Sequence, residues 1–159
     1  MACDATARLY DVDEDSVVFK KLQKTTRYDQ GTVTFRARKG KLIDLDKLHE
    51  SIWATRLSGG TRSGLVSLGV TAIGQIVMTK GTIALRVANS DSQFVLIASS
   101  DEKQAALFQK LQAESGTDAQ LRVTGRIDHY AGRWPEVLRD RPTNPRRIVV
   151  THFEVVKSP

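Results

Sequence analysis

The chain is poor in the residues that most often announce chemistry. It has one cysteine, Cys3, among 159 residues. One thiol cannot close an internal disulfide, so a cysteine-stapled scaffold is excluded and the redox compartment is not legible. Aromatic residues make up 6% of the chain, which leaves few rings for either a core or a stacking surface. The histidines His49, His129 and His152 share no metal-ligand spacing. No apolar run approaches the roughly 20 residues of a membrane helix. No charged start followed by an apolar stretch reads as a signal peptide. The expectation is a soluble protein whose compartment is unknown. Three of the four prolines, Pro135, Pro142 and Pro145, fall in one stretch, Ala131 to Arg147, which reads as a loop.

Hydrophobic residues at 40% and charged residues at 26% give a globular balance. The length suits one ordinary domain or two small ones. The net charge is +6, which tilts the choice of partner toward acidic ones, nucleic acid among them. The charge is unevenly placed. Asp4, Asp11, Asp13, Glu14 and Asp15 make the start acidic. Lys20, Lys21, Lys24, Arg27, Arg36, Arg38, Lys39 and Lys41 follow. A second basic region holds Arg126, Arg133, Arg139, Arg141, Arg146 and Arg147. Solvated faces account for such runs at least as readily as a binding site does.

The alternation of Val33, Phe35 and Ala37 with Thr34, Arg36 and Arg38 predicts a strand with one buried face. Asp29-Gln30-Gly31 reads as the turn before it, and residues 19–28 as its hairpin partner. Asp44 is placed to cap a helix, with Ile43 and Leu48 as a staple and Leu45, Leu48, Ile52 and Trp53 near one face. Ser58-Gly59-Gly60 ends that helix. Residues 65–73 read as a strand returning beside the first, with Val66, Leu68, Val70 and Ala72 on one side. In the second half, 75–78, 82–87 and 93–97 read as short strands. Ser99 and Glu102 are spaced as a capping box, and Leu107, Phe108 and Leu111 form the stripe of a helix stopped at Gly116. Residues 120–127 and 148–156 read as the last two strands. The fold class is α+β, in two modules covering 1–74 and 75–159. Only Gly74 separates the strand ending at Ile73 from the one beginning at Gln75, so a fixed interface is expected.

The run Arg27 to Phe35, then Ile43-Asp44-Leu45-Asp46-Lys47-Leu48 with Ile52, then the strand at 65–73, resembles the later part of a heavy-metal-associated domain, the ferredoxin-like fold of copper chaperones and metal-pump modules. That resemblance implies a Cys-x-x-Cys loop for a soft metal ion. Here the matching stretch is Cys3-Asp4-Ala5-Thr6, with threonine at the second position. A hydroxyl is a poor soft-metal ligand, so the implied site is degenerate and Cys3 is its one candidate ligand. Residues 75–159 resemble an OB-fold, a small five-stranded barrel whose helix lies between its third and fourth strands. That resemblance implies a ligand-binding face for oligonucleotides, sugars or proteins.

For a nucleic acid, the candidate residues are Tyr130 and Trp134, as stacking rings, beside Arg126, Arg133, Arg139 and Arg141. Phe94 is better explained as barrel filling. Tyr130, at a strand-to-loop transition, is expected to be the exposed aromatic. Asp44 and Asp46 explain themselves as helix-start acids rather than a catalytic pair. Gly59, Gly60 and Gly64 follow a helix, whereas a phosphate loop precedes one. An enzyme is the least supported class. The expectation is a non-catalytic, two-module binding or adaptor protein with a link to metal handling; the alternative is a single-stranded nucleic-acid binder using the OB-like half.

Overall fold

The structure, a computed structural model, describes residues 11–24, 29–56, 60, 64–130 and 146–156. It is α+β and mostly strand. The chain divides into two compact units, with the main boundary between Leu65 and Val66.

The first unit contains an antiparallel hairpin of β1 (Val12–Lys24) and β2 (Asp29–Ala37). Val33, Phe35 and Ala37 are half-buried and Thr34, Arg36 and Arg38 are exposed, as the alternation predicts. The expected turn at Asp29-Gln30-Gly31 lies inside β2 instead, where Gly31 pairs with Lys21 and Asp29 with Lys24. Gly31 leaves room there for its neighbour. A Cβ at that position would come within 2.4 Å of the Phe19 ring, so the ring occupies the space a side chain would need. The ladder is irregular between Asp13 and Val18, and residues 14–17 stand opposite Phe35 alone. Ser16 fills that gap: its hydroxyl accepts the Arg36 N–H at 2.8 Å and donates to the Asp13 carbonyl at 2.6 Å.

Helix α1 (Leu45–Ala54) starts where its local chemistry says it should. The Asp44 carboxylate accepts the N–H groups of Asp46 at 2.9 Å and Lys47 at 3.1 Å, two of the donors a helix start leaves without partners. It ends earlier than the glycines suggest. Thr55 takes an extended conformation, its N–H bonds the Ile52 carbonyl at 3.2 Å, and its hydroxyl bonds the Ser51 carbonyl at 2.9 Å. Val12, Leu48 and His49 are buried among the described residues of this unit.

The second unit is a closed barrel of five strands, β3 (Gly69–Thr79), β4 (Thr82–Val87), β5 (Gln93–Ile97), β6 (Gln120–Ile127) and β7 (Arg147–Val155), in the order β3-β4-β5-β7-β6. All neighbours are antiparallel except β5 and β7, which run parallel. A parallel pair needs a long crossover, and here α2 (Glu102–Ala113) lies within it. The Ser99 hydroxyl accepts the Asp101 N–H at 3.3 Å, and the Asp101 carbonyl opens the helix by accepting from Gln104 and Ala105. A turn at Ser99 thus delivers Asp101 to the helix start; the Glu102 side chain of the expected capping box lies outside the described residues.

The strand expected to return beside β2 belongs to the barrel. β3 runs through Gly74 without a break, so the module boundary expected there falls within a strand. β3 pairs with β6 over Gly69–Gln75 and with β4 over Gly74–Thr79, switching neighbours at Gly74 and Gln75. The inward row is apolar. Ile76, Ile83, Leu85, Leu96, Leu121, Val123, Ile127, Ile148 and Val150 are all buried, with Leu111 of α2 beside them. A barrel leaves no open sheet edge, which is how five short strands become a stable sheet.

Candidate functional site

Register and burial sort the barrel side chains into inward and outward rows. Gln75 on β3, Arg86 on β4 and Gln93 on β5 are direct cross-strand partners on the outward side. Arg86 and Gln93 are exposed and Gln75 is half-buried. Two residues further along, Val77, Ala84 and Val95 form a parallel apolar row, with Ala84 buried. Arg86 also borders an open groove of about 560 Å3, whose other walls are the end of β3 from Ile76 to Thr79 and the turn at Ser115 and Gly116. Met78 is 57% exposed on that wall.

The outward side of β6 is polar along its length. Arg122, Thr124 and Arg126 alternate with the buried Leu121, Val123, Gly125 and Ile127. The Thr124 hydroxyl meets that of Thr71 on β3 at 2.9 Å, and the Thr151 hydroxyl bonds the Thr124 carbonyl at 3.2 Å. Arg122 forms an ion pair with Glu154 on β7. Arg126 and Arg86 have no ion-pair partner among the described residues. His152, paired in register with Thr124, is exposed.

At the far end of β6, Asp128 holds Arg147 at 2.5 Å and lies 3.7 Å from His129. The Asp128 N–H also bonds the Arg147 carbonyl at 3.0 Å. The ladder therefore continues past the last residue of β6. His129 then adopts φ 49, the left-handed region, and turns the chain. That turn overturns the expectation for Tyr130. It is 1% exposed, and the Arg146 guanidinium stands 5.3 Å from its ring centroid. Tyr130 is a core residue under a cation, so it is not an accessible stacking ring.

Of the predicted site residues, Arg126 is exposed on the outward side of β6 and Tyr130 is interior, so the two do not share a surface. Cys3, Arg133, Trp134, Arg139 and Arg141 lie outside the described residues. Phe94 is half-buried and in register with Leu85 on the inward side, as barrel filling requires. The Gln75–Arg86–Gln93 row and the Thr71–Thr124 contact were not anticipated. Alternation in β4 places Arg86 outward, but nothing local says which strands flank it. Among the described residues, no cluster of three or more His, Cys, Asp or Glu side chains is arranged to hold a metal ion, and no helix is long and apolar enough to cross a membrane.

The chain matches no protein-family model and no curated protein.

Proposed function

We propose that this is a binding protein whose barrel is an OB-like module, and that the ligand its outer face suits best is single-stranded nucleic acid held through its phosphates. The observation that carries the reading is the barrel itself. Its strands, numbered from β3, follow the order 1-2-3-5-4, with the third and fifth parallel and a helix after the third, which supports reading it as a five-stranded barrel of the OB kind. On the outside of that barrel Arg86 and Arg126 are exposed cations without a carboxylate partner among the described residues. Arg86 is level with Gln75 of β3 and Arg126 with Gly69, six residues apart on one strand. Six residues of strand span about 20 Å, so a ligand that reaches both arginines is elongated and anionic along its length.

The test is a fluorescence-anisotropy titration of the full chain with a single-stranded oligonucleotide at low and moderate salt. Saturable binding that weakens steeply with salt is the expected result, because phosphates neutralised by arginine release their counterions. Arg86→Ala and Arg126→Ala should each weaken binding and flatten the salt dependence by about one phosphate contact. Absence of saturable binding at low salt refutes the reading, as does binding that both variants leave unchanged.

A second reading, an adaptor for a protein partner, is favoured by one specific observation. Among the described residues, no outward-facing position on β3, β4 or β5 is aromatic: the rows are Gln75, Val77 and Thr79; Thr82, Ala84 and Arg86; and Gln93, Val95 and Ile97. Base stacking contributes about 1–3 kcal/mol per base to single-strand binding, and these strands offer no ring for it. A mixed apolar and polar face of this kind suits a protein surface, and failure of the oligonucleotide titration would leave that reading.

A further inference from the structure

We infer that β1 is a self-complementary edge through which two copies of this chain pair, joining two hairpins into one four-stranded antiparallel sheet in the order β2-β1-β1-β2. The inference concerns the first unit and is independent of the ligand of the barrel.

Three observations meet on this strand. β1 has 13 residues and β2 is its one strand neighbour among the described residues, so its other edge lies open there. A two-stranded ribbon is marginal alone, and an open edge presents a row of peptide groups to any strand that can align with it. The β1–β2 ladder is irregular at residues 14–17, which stand opposite Phe35 alone. At this point Val18 is 51% exposed and Phe19 49%. These two side chains lie on opposite faces of the strand, each free to pack beside a side chain of an added strand.

The third observation, the order of charges, decides which chain. The strand reads Val12-Asp13-Glu14-Asp15-Ser16-Val17-Val18-Phe19-Lys20-Lys21-Leu22-Gln23-Lys24. Acids fill the first third, an apolar triplet the middle and lysines the remainder. A second copy laid antiparallel about a two-fold axis between Val17 and Val18 brings Asp15 level with Lys20 and Glu14 level with Lys21, twice each. The apolar triplets then meet at the axis. Opposite charges directly across a sheet stabilise it and like charges oppose it. A parallel in-register alignment would set like charges opposite each other and lose all of these pairs, and an unrelated strand of single-sign charge would lose half of them. A two-fold axis makes the interface isologous, the commonest form of self-association.

The test is sedimentation velocity on the full chain at low salt, at up to about 100 μM, a range that reveals even weak association. The unmodified chain is expected to sediment as a dimer. The double variant Lys20→Glu, Lys21→Glu makes the strand acidic throughout, and Glu14→Lys, Asp15→Lys makes it basic throughout. Each should be monomeric alone, with an unchanged far-ultraviolet circular dichroism spectrum. Mixed one to one, the two variants should form a heterodimer, and one chain carrying all four changes should dimerise again. A merely structural role for these charges gives no rescue on mixing. A monomeric unmodified chain overturns the inference. So does a dimer that survives both double variants, or variants that stay monomeric when mixed.

Discussion

The barrel depends on close backbone approach at Gly74, and Gly74→Ala tests that dependence. β3 hands over from β6 to β4 at Gly74 and Gln75, so the strand must turn its pairing edge there. An added Cβ at Gly74 would lie 2.0 Å from the Arg86 carbonyl oxygen and 2.7 Å from its carbon. Real Cβ contacts essentially never fall under 3.0 Å, so backbone must separate from backbone by about 1 Å or more, and no side-chain rotation can absorb it. Disturbing two ladder hydrogen bonds at about 1 kcal/mol each, with about 1–3 kcal/mol of overpacking, gives a loss of about 3–5 kcal/mol. That is a large share of the roughly 5–15 kcal/mol that holds a domain folded. The assay is native-state hydrogen exchange on the full chain, read on the peptides of β4 and β6. At 1.4 kcal/mol per factor of ten, protection there should fall by about a hundredfold or more, while the peptides of α1 keep theirs. Gly69→Ala is the control, because its Cβ would meet nothing closer than the Gly125 carbonyl oxygen at 3.8 Å. Barrel protection in Gly74→Ala within about threefold of the unmodified chain would refute the argument, since the strand would then bend without needing glycine.

The other perturbations are smaller and separable. Lys80 and Gly81 form the two-residue turn joining Thr79 to its partner Thr82, with φ 51 and φ 78; Lys80→Asn, which accepts the left-handed region more readily, should stabilise the barrel by about 0.5 kcal/mol, seen as slower exchange in β3 and β4. Asp44→Ala removes the acceptor for two N–H groups and should weaken α1 by about 1 kcal/mol, seen as faster exchange confined to the first turn of that helix. Asp128→Asn weakens a pair at 2.5 Å whose side chains are 19% and 37% exposed; after screening, a loss of about 1 kcal/mol is expected in chemical denaturation. Glu154→Gln breaks the exposed pair with Arg122 and should change stability by less than about 0.5 kcal/mol in the same measurement.

How much of this was legible follows from which interactions are local. The Asp44 cap, the alternation at Val33, Phe35 and Ala37, and the strands at 82–87, 93–97 and 120–127 all rest on contacts within a few residues, and they appear where the sequence places them, whereas the short strand expected at 75–78 is part of the longer β3. Val70 and Ala72 also read correctly as one face of a strand. What the local pattern does not contain is the neighbour. An apolar face at 66–72 fits a strand beside β2 as well as one between β4 and β6, and only long-range pairing chooses the second. The same gap explains Tyr130. Seen locally, it follows a strand and precedes a glycine-bearing loop. In the fold, the Arg147 carbonyl catches the Asp128 N–H, His129 turns the chain, and Arg146 closes over the ring.

That displacement of Tyr130 changes where binding should be sought. With this ring in the core, the polar groups on the outer surface of the barrel, among the described residues, are chiefly arginine, glutamine and threonine, beside the apolar row of Val77, Ala84 and Val95. Recognition through such groups is electrostatic and hydrogen-bonded, so it discriminates by charge spacing and is weakened by salt. Arg86 and Arg126 sit on strands that flank β3 on opposite sides and contact different parts of it. Their separation is therefore fixed by the ladder, and Gly74, where β3 changes partner between them, sets it. On the proposed nucleic-acid reading, a ligand held by both arginines would read the bend of one strand, and Gly74→Ala would then alter binding as well as the barrel.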